Sequence, residues 1–294
     1  TSTPCSTKPP EPRPAMPHHA TRRPSMGEAA ALLALTTLIA QPALAEPLRI
    51  SGTGSSAPLV AALFEEFRKQ HPDAELLQPT PPLGSSGALK ALAGGRIDLA
   101  LPGRALKPDE AARIGRHFVL ATTPLVLASA GGQKKNGFTL DELAAVYEGR
   151  QTRWDNDQPI RLVLRASFES DTQTLKSMSP MMAKAVDTAA RRPGMALGQD
   201  DLETLTLLTH SPGSLGPTTL GLLRASGARL TVFEINGVAP SLATLKEGRY
   251  PWRKEISVAL QRQPSPLADK FATFLQSDKA HAVLLRSGYV PAGR

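Results

Sequence analysis

The 294-residue sequence predicts an α/β fold, on three observations. Extended apolar segments alternate with amphipathic helical ones from residue 48 onward, the pattern of sheets layered with helices. Two Gly/Ser turns, Gly52-Thr53-Gly54-Ser55-Ser56 and Gly84-Ser85-Ser86-Gly87, each stand where an extended stretch gives way to a helix. Apolar residues make up 41% of the chain, enough for a sizeable core in one large or two medium domains.

The elements follow in order. Pro58 stands in the first turn of the first helix, where its missing N–H costs nothing, and Leu59, Leu63, Phe64 and Phe67 form a stripe ending near His71-Pro72. After Ser86, a shorter stripe of Ala88, Leu89 and Leu92 stops at Gly94-Gly95, and 97–101 reads as a buried strand holding Asp98. A second region begins near Thr123-Pro124, where 125–128 reads as a strand leaving the first sheet, followed by a Gly-rich loop at 131–137. Thr139-Leu140-Asp141-Glu142 is a capping box that opens a helix with Leu140, Leu143, Val146 and Tyr147 on one face and Gly149 at its end; Trp154 follows in a turn. The strand 160–164 delivers Arg165, and Glu169-Ser170-Asp171-Thr172 starts the next helix. Helical stretches at 180–190 and 200–209 precede a strand-like piece at 213–216 and a strand at 230–235. A strand at 256–260 and two helices close the chain, one lined by Leu267, Phe271, Phe274 and Leu275, the other by Ala282 and Leu285 and ending at Gly288.

Residues 1–45 read as an export leader. Thr21-Arg22-Arg23 precedes an apolar run at 29–40, and Ala43-Leu44-Ala45 supplies the small-x-small pattern of a secretory cleavage site, so cleavage after Ala45 is expected. That run is short of the ~20 residues a membrane helix needs. Met16 is the expected start, and the Pro-rich stretch before it is expected to be untranslated or disordered. Cys5, the one cysteine, lies ahead of the cleavage point with no lipobox, which leaves the mature chain without a disulfide, a thiol nucleophile or a lipid anchor. Removal of the leader takes four Lys/Arg and two Asp/Glu, so the net charge of +8 falls to +6, a balance that favours anionic partners. Aromatic residues are only 4% and no basic run is interleaved with them, which argues against nucleic acid.

The chain lacks the common catalytic signatures. His71, His117, His210 and His281 are dispersed, with no metal-ligand spacing, and there is no Gly-x-Ser-x-Gly elbow, P-loop or dinucleotide fingerprint. No catalytic residue, metal or cofactor is expected. What the chain does offer is neutral and cationic donors: Ser55, Ser56, Ser85, Ser86, Arg104, Arg165, Ser170 and Thr172. Hydroxyls, helix-start N–H groups and a guanidinium together suit a tetrahedral oxyanion. The same residues have ordinary roles open to them: helix caps for the serine turns, and a structural ion pair at a strand end for Arg165.

Gly52 to Pro58, Gly84-Ser85-Ser86-Gly87-Ala88-Leu89-Lys90, Gly95-Arg96-Ile97-Asp98-Leu99-Ala100, 138–154 and 275–291 resemble the periplasmic phosphate-binding proteins of ABC transporters, a type II periplasmic binding protein family. The resemblance runs through nearly all of 48–292. It implies two α/β lobes with mixed sheets flanked by helices and a cleft between them: first lobe 46–124, second lobe 125–235, and a return segment 236–294, closing on ligand about a hinge. It further implies that Ser56 with the Ala57 amide, Ser85, and Ser170 and Thr172 with the Asp171 amide contact phosphate, with Arg165 as the cationic partner and Arg104 matching the relatives that carry Ser-Ser-Arg; Ser55 and Ser86 join the expected ligand-binding set as neighbouring donors. The chain departs from the family pattern in three places. Glu169-Ser170-Asp171-Thr172 replaces Gly-Ser-Gly-Thr, with Arg165 one residue further away; Pro102-Gly103-Arg104 stands where relatives carry an aspartate or Ser-Ser-Arg; and Ala57 replaces a bulky aromatic. Asp171 either faces the cleft, where a carboxylate accepts the proton of hydrogen phosphate and repels ionised sulfate, or faces water as a helix-start charge.

The resemblance implies a monomeric periplasmic protein, not membrane-inserted, that captures phosphate or a similar oxyanion for an ABC permease without chemistry. One alternative is a relative with altered or lost phosphate binding, acting as a sensor or an extracellular interaction or adhesion protein. A secreted serine hydrolase is another, and it requires a histidine within reach of one of these serines.

Overall fold

The computed structural model describes residues 46–131 and 133–293; the expected leader, its expected cleavage point and Cys5 lie outside the described residues. The chain begins with β1 (Leu48–Gly52), α1 (Ala57–Arg68), β2 (Leu76–Leu77), α2 (Gly84–Ala93), β3 (Leu99–Leu101) and α3 (Pro108–Ala111). The long β4 (His117–Ser129) leads to β5 (Gly137–Phe138), α4 (Leu140–Glu148), β6 (Arg161–Arg165), α5 (Ser170–Ser177) and α6 (Pro180–Arg191). Next come β7 (Ala196–Gly198), α7 (Asp201–His210), β8 (Ser214–Thr219), α8 (Leu220–Ser226), β9 (Thr231–Val232), β10 (Glu234–Ile235) and α9 (Leu242–Lys246). The chain ends with β11 (Arg253–Leu260), α10 (Pro266–Phe274), α11 (Asp278–Arg286) and β12 (Val290–Pro291).

The main sheet runs β2-β1-β3-β11-β4-β8-β6-β7, and β4 joins its two halves. The first half of β4 pairs antiparallel with β11 and β12, and Leu125 to Ser129 pairs with β8 and β9. Parallel pairing of β1 with β2 and β3, and of β6 with β7 and β8, follows from the helical crossovers between them. Each half has its own core. In the first lobe Phe67 meets Phe271 edge to face at 5.1 Å, beneath Leu48, Ile50 and Leu63, and each fully buried ring contributes roughly 1.5–3 kcal/mol. In the second, Phe138, Trp154 and Phe233 cluster with ring centroids 5.2 to 5.9 Å apart. The mixed α/β, two-lobed architecture expected from the sequence is the one observed.

Several local readings are refined. The Gly84-Ser85-Ser86-Gly87 segment is the first turn of α2 itself, entered through Gly84 at φ +69, a left-handed conformation that glycine adopts without strain. Asp98 precedes β3 and ties to Arg49 through the Arg49 amide and guanidinium. β4 is one continuous strand of 13 residues where the sequence reading recognised only its second part, because its first half carries polar and exposed positions along the lobe-one edge. In α11 the inward face is Ala280, Val283 and Leu284, whereas Ala282 and Leu285 point outward. Tyr250 packs in the second core, and β11 begins three residues later at Arg253. The Tyr250 hydroxyl donates to the Leu125 carbonyl at 2.8 Å, and the Leu125 amide to the Trp252 carbonyl at 3.0 Å, which fastens the two crossing segments together.

Candidate anion-binding site

The first Gly/Ser turn sits at the carboxyl end of β1, where open sheets of this kind place ligands. A Cβ on Gly52 would lie 2.0 Å from the Leu101 carbonyl oxygen, so only glycine lets β1 and β3 run this close. The Thr53 amide then donates to that carbonyl at 3.0 Å, and the Ser56 hydroxyl donates back to the Thr53 carbonyl at 2.8 Å. Ser55 and Ser56 are buried, and Ala57 opens α1. The Thr53 hydroxyl points across the lobes and donates to Asp201 Oδ2 at 2.7 Å.

The second turn divides. Ser85 Oγ accepts the Gly103 amide at 3.0 Å, beside Lys254, whose Cε would lie 2.7 Å from a Cβ on Gly103. Ser86 is exposed, and its hydroxyl accepts from Arg104 Nη2 at 2.9 Å. Arg104 itself grips Glu110 through both Nη atoms at 2.6 and 2.7 Å, and those bonds with the Lys107 amide hold the Glu110 carboxyl down at about 2. Ser86, Arg104 and Glu110 thus form their own cluster at the edge of the first lobe.

On the second lobe, Arg165 ends β6 and is 5% exposed. Its Nη1 donates to the Gly198 carbonyl and Thr204 Oγ1, both at 3.3 Å, and its Nη2 lies 3.0 Å from Glu169 and 3.9 Å from Asp201. Arg165 Nε is buried with no hydrogen-bond partner among the described residues. Thr172 donates to the Arg165 carbonyl at 3.2 Å, and the Ser170 hydroxyl lies 3.5 Å from Asp171 Oδ1. Of the two orientations open to Asp171, the structure has the inward one: its carboxylate is buried and pairs with Lys254 at 2.9 Å.

Three residues at the centre of this seam were not among the sequence candidates: Thr53, Asp201 and Lys254. Lys254 lies on β11 of the first lobe, 3% exposed, and its Nζ reaches Asp171 at 2.9 Å and Asp201 at 2.6 Å, both on the second lobe. Burial pushes the Asp201 carboxyl up, but the Lys254 and Arg165 charges, with bonds from Lys254 and Thr53, outweigh it and hold Asp201 well below the usual carboxylate range. Burial likewise works against the Lys254 ammonium, and its two carboxylate partners more than reverse that. Glu169, nearer the surface, is pushed up by burial despite Arg165. A signal for Lys254 exists in the sequence, since strand alternation puts it on the face of Ile256 and Val258, an inward position no lysine takes without partners. Small cavities flank the seam, one lined by Gly52, Ser56, Ala57 and Gln78, the other by Tyr147, Arg165, Ser167 and Thr172.

His117 is solvent-exposed on β4 while Ser55 and Ser56 are buried, so the hydrolase reading gains nothing from the structure. Among the described residues no group of three or more His, Cys, Asp or Glu is arranged to hold a metal ion, and no helix is long and apolar enough to cross a membrane.

Two α/β lobes joined by crossing strands, with buried cations and hydroxyls on the seam, define a two-lobed solute-binding protein. The PBP superfamily domain matches residues 21–279, most of the chain, and the protein belongs to that family. The phosphate-binding protein PstS of Bacillus subtilis is 25% identical over 262 residues, covering 83% of this chain and 80% of that one. Among solved structures, a Clostridium perfringens protein with bound phosphate, named as a phosphate ABC transporter substrate-binding protein, superposes with a TM-score of 0.68 at 18% identity, over 84% of this chain and 100% of the other. The molybdate-binding protein of Azotobacter vinelandii gives 0.59 at 15% identity, over 84% and 100%. These structural likenesses speak to the fold. The resemblance to phosphate-binding proteins seen in the sequence is borne out by the PstS match.

Proposed function

We propose that the protein is a periplasmic solute-binding protein that captures phosphate, or a similar tetrahedral oxyanion, and hands it to an ABC permease as a monomer without catalysis. The observation that carries this is the convergence on one seam of two buried cations, Arg165 and Lys254, with the Thr53 hydroxyl and the starts of α1 and α5. A guanidinium, an ammonium and hydroxyls grouped at helix starts suit a tetrahedral oxyanion that exchanges for their carboxylate partners. Arg165 Nε, buried and still able to donate, adds to that reading. The contact set on this view is Ser55, Ser56, the Ala57 amide, Arg165, Ser170, Asp171 and Thr172, with Thr53 and Lys254 added. Ser85 supports the Gly103 turn, and Ser86 with Arg104 shapes the rim. The PstS relative supports phosphate as the ligand.

Thermal melting tests it. Phosphate at rising concentration is expected to raise the melting midpoint with the logarithm of its concentration once above the dissociation constant, by the mass-action gain of ~2.7 kcal/mol at a hundredfold excess, while chloride at equal ionic strength does not. A midpoint indifferent to phosphate, sulfate and molybdate alike contradicts the proposal.

A further inference from the structure

We propose that Asp201 sets the affinity and selectivity of the seam by presenting its own carboxylate to the donors that an oxyanion needs, so that an incoming anion binds by displacing it. This rests on the function proposed above and deepens it. Both Asp201 oxygens are committed across the lobes: Oδ2 accepts from Thr53 at 2.7 Å and lies 3.9 Å from Arg165 Nη2, and Oδ1 accepts from Lys254 at 2.6 Å. The fit is close, since a Cβ on Gly54 would stand 3.1 Å from the Cβ and amide nitrogen of Asp201, directly against the first Gly/Ser turn.

Among the described residues, the Asp201 side chain accepts no hydrogen bond from its own helix. The preceding Asp200 already caps α7, accepting from the Leu202 and Glu203 amides at 2.7 and 2.8 Å. Among the described residues, the hydrogen bonds and ion pairs of the Asp201 side chain go instead to Thr53 and Lys254 of the other lobe and to Arg165. The charge balance points the same way: Arg165 and Lys254 face Asp171, Asp201 and Glu169, so these two cations already meet three carboxylates. An added oxyanion finds neither cation uncommitted. A tethered carboxylate competes at the high effective concentration of an intramolecular group, and apparent affinity for a free anion falls by the fraction of time it is seated.

The test compares the wild-type protein, Asp201→Asn and Asp201→Ala by calorimetric titration with inorganic phosphate, with sulfate in parallel. Glu203→Gln, which removes one charge from the same helix away from the seam, controls for net charge. The expected result is phosphate binding at least about tenfold tighter in both Asp201 variants, narrowed discrimination against sulfate, and no change in Glu203→Gln. Where one variant fails to fold, a structure of the wild type with phosphate decides, and Asp201 is expected more than hydrogen-bond distance from Thr53 and Lys254. Equal or weaker binding by folded variants, or a Thr53-Asp201 bond that persists beside bound phosphate, overturns the proposal and leaves oxyanion capture standing. Binding by the Asp201 variants alone removes capture from the natural protein yet supports the role of Asp201. No binding by any of them overturns both.

Discussion

Lys254 is the residue on which the seam depends most. Its ammonium is buried and bonded to Asp171 and Asp201, so Lys254→Ala leaves two buried carboxylates facing each other with one cation, Arg165, nearby. Removing one partner of a buried pair costs about 3–5 kcal/mol, far more than the pair contributes over an apolar replacement. Urea unfolding of Lys254→Ala is expected to show that loss at unchanged slope. The pH dependence follows from the same groups. Asp201 is held below its ordinary value of 3.8, so its contribution to stability is present above that value and lost as pH falls through the lowered one. Lys254 is raised above its ordinary 10.5, so its contribution is intact below 10.5 and lost only as pH rises through the raised value. Glu169, raised above its ordinary 4.5 by burial, works the other way and gives up stability as pH rises through its raised value, so the expected profile of urea midpoints falls on the acid side and is flat from about pH 7 to 10; a midpoint that keeps declining between about pH 7 and 9 contradicts it. At this scale the sequence points to Ser56 at a Gly/Ser turn, Arg165 at a strand end and Thr172 at a helix start, all positions with a local mark. Thr53 and Asp201 carry no such mark, because a threonine in a turn and an aspartate at a helix start are ordinary capping residues until the fold brings them face to face.

Among the elements, those with a strong local period were the most legible. The α1 stripe of Leu59, Leu63, Phe64 and Phe67 is buried as read, and the Thr139 capping box is formed, with the Glu142 amide donating to Thr139 Oγ1 at 3.2 Å. The reading of α11 slipped by about one position, since its charged and apolar residues leave two overlapping stripes and only packing against α1 selects Ala280, Val283 and Leu284. The length of β4 was hidden because it changes lobes midway, and the two halves obey different burial patterns. The β1 to α1 junction gives a direct test. Gly52→Ala forces a Cβ onto the Leu101 carbonyl oxygen, a backbone atom that cannot rotate away, and ~3 kcal/mol of destabilisation is expected from such overpacking. Gly87→Ala in α2, whose Cβ would meet only the Leu83 side chain at 3.4 Å, is expected to be tolerated, and chemical denaturation of the two variants separates them.

At the scale of the molecule, the two lobes have separate cores and meet through β4, the segment leading into β11, and the Thr53, Asp171, Asp201 and Lys254 bonds. Residues 53, 171, 201 and 254 come from four distant stretches of chain, which is why their convergence could be seen only in the folded protein. The two-lobed architecture itself was legible, because strand and helix alternation and the two Gly/Ser turns are local features. Oxyanion binding at this seam is the property on which the function proposed above turns. The most direct measurement is calorimetric titration of the protein with phosphate, alongside Arg165→Ala shown to melt cooperatively. Saturable heat with one site per chain, lost in Arg165→Ala, is the expected result; a folded wild type that gives no saturable heat, or a variant that binds as well as the wild type, contradicts it.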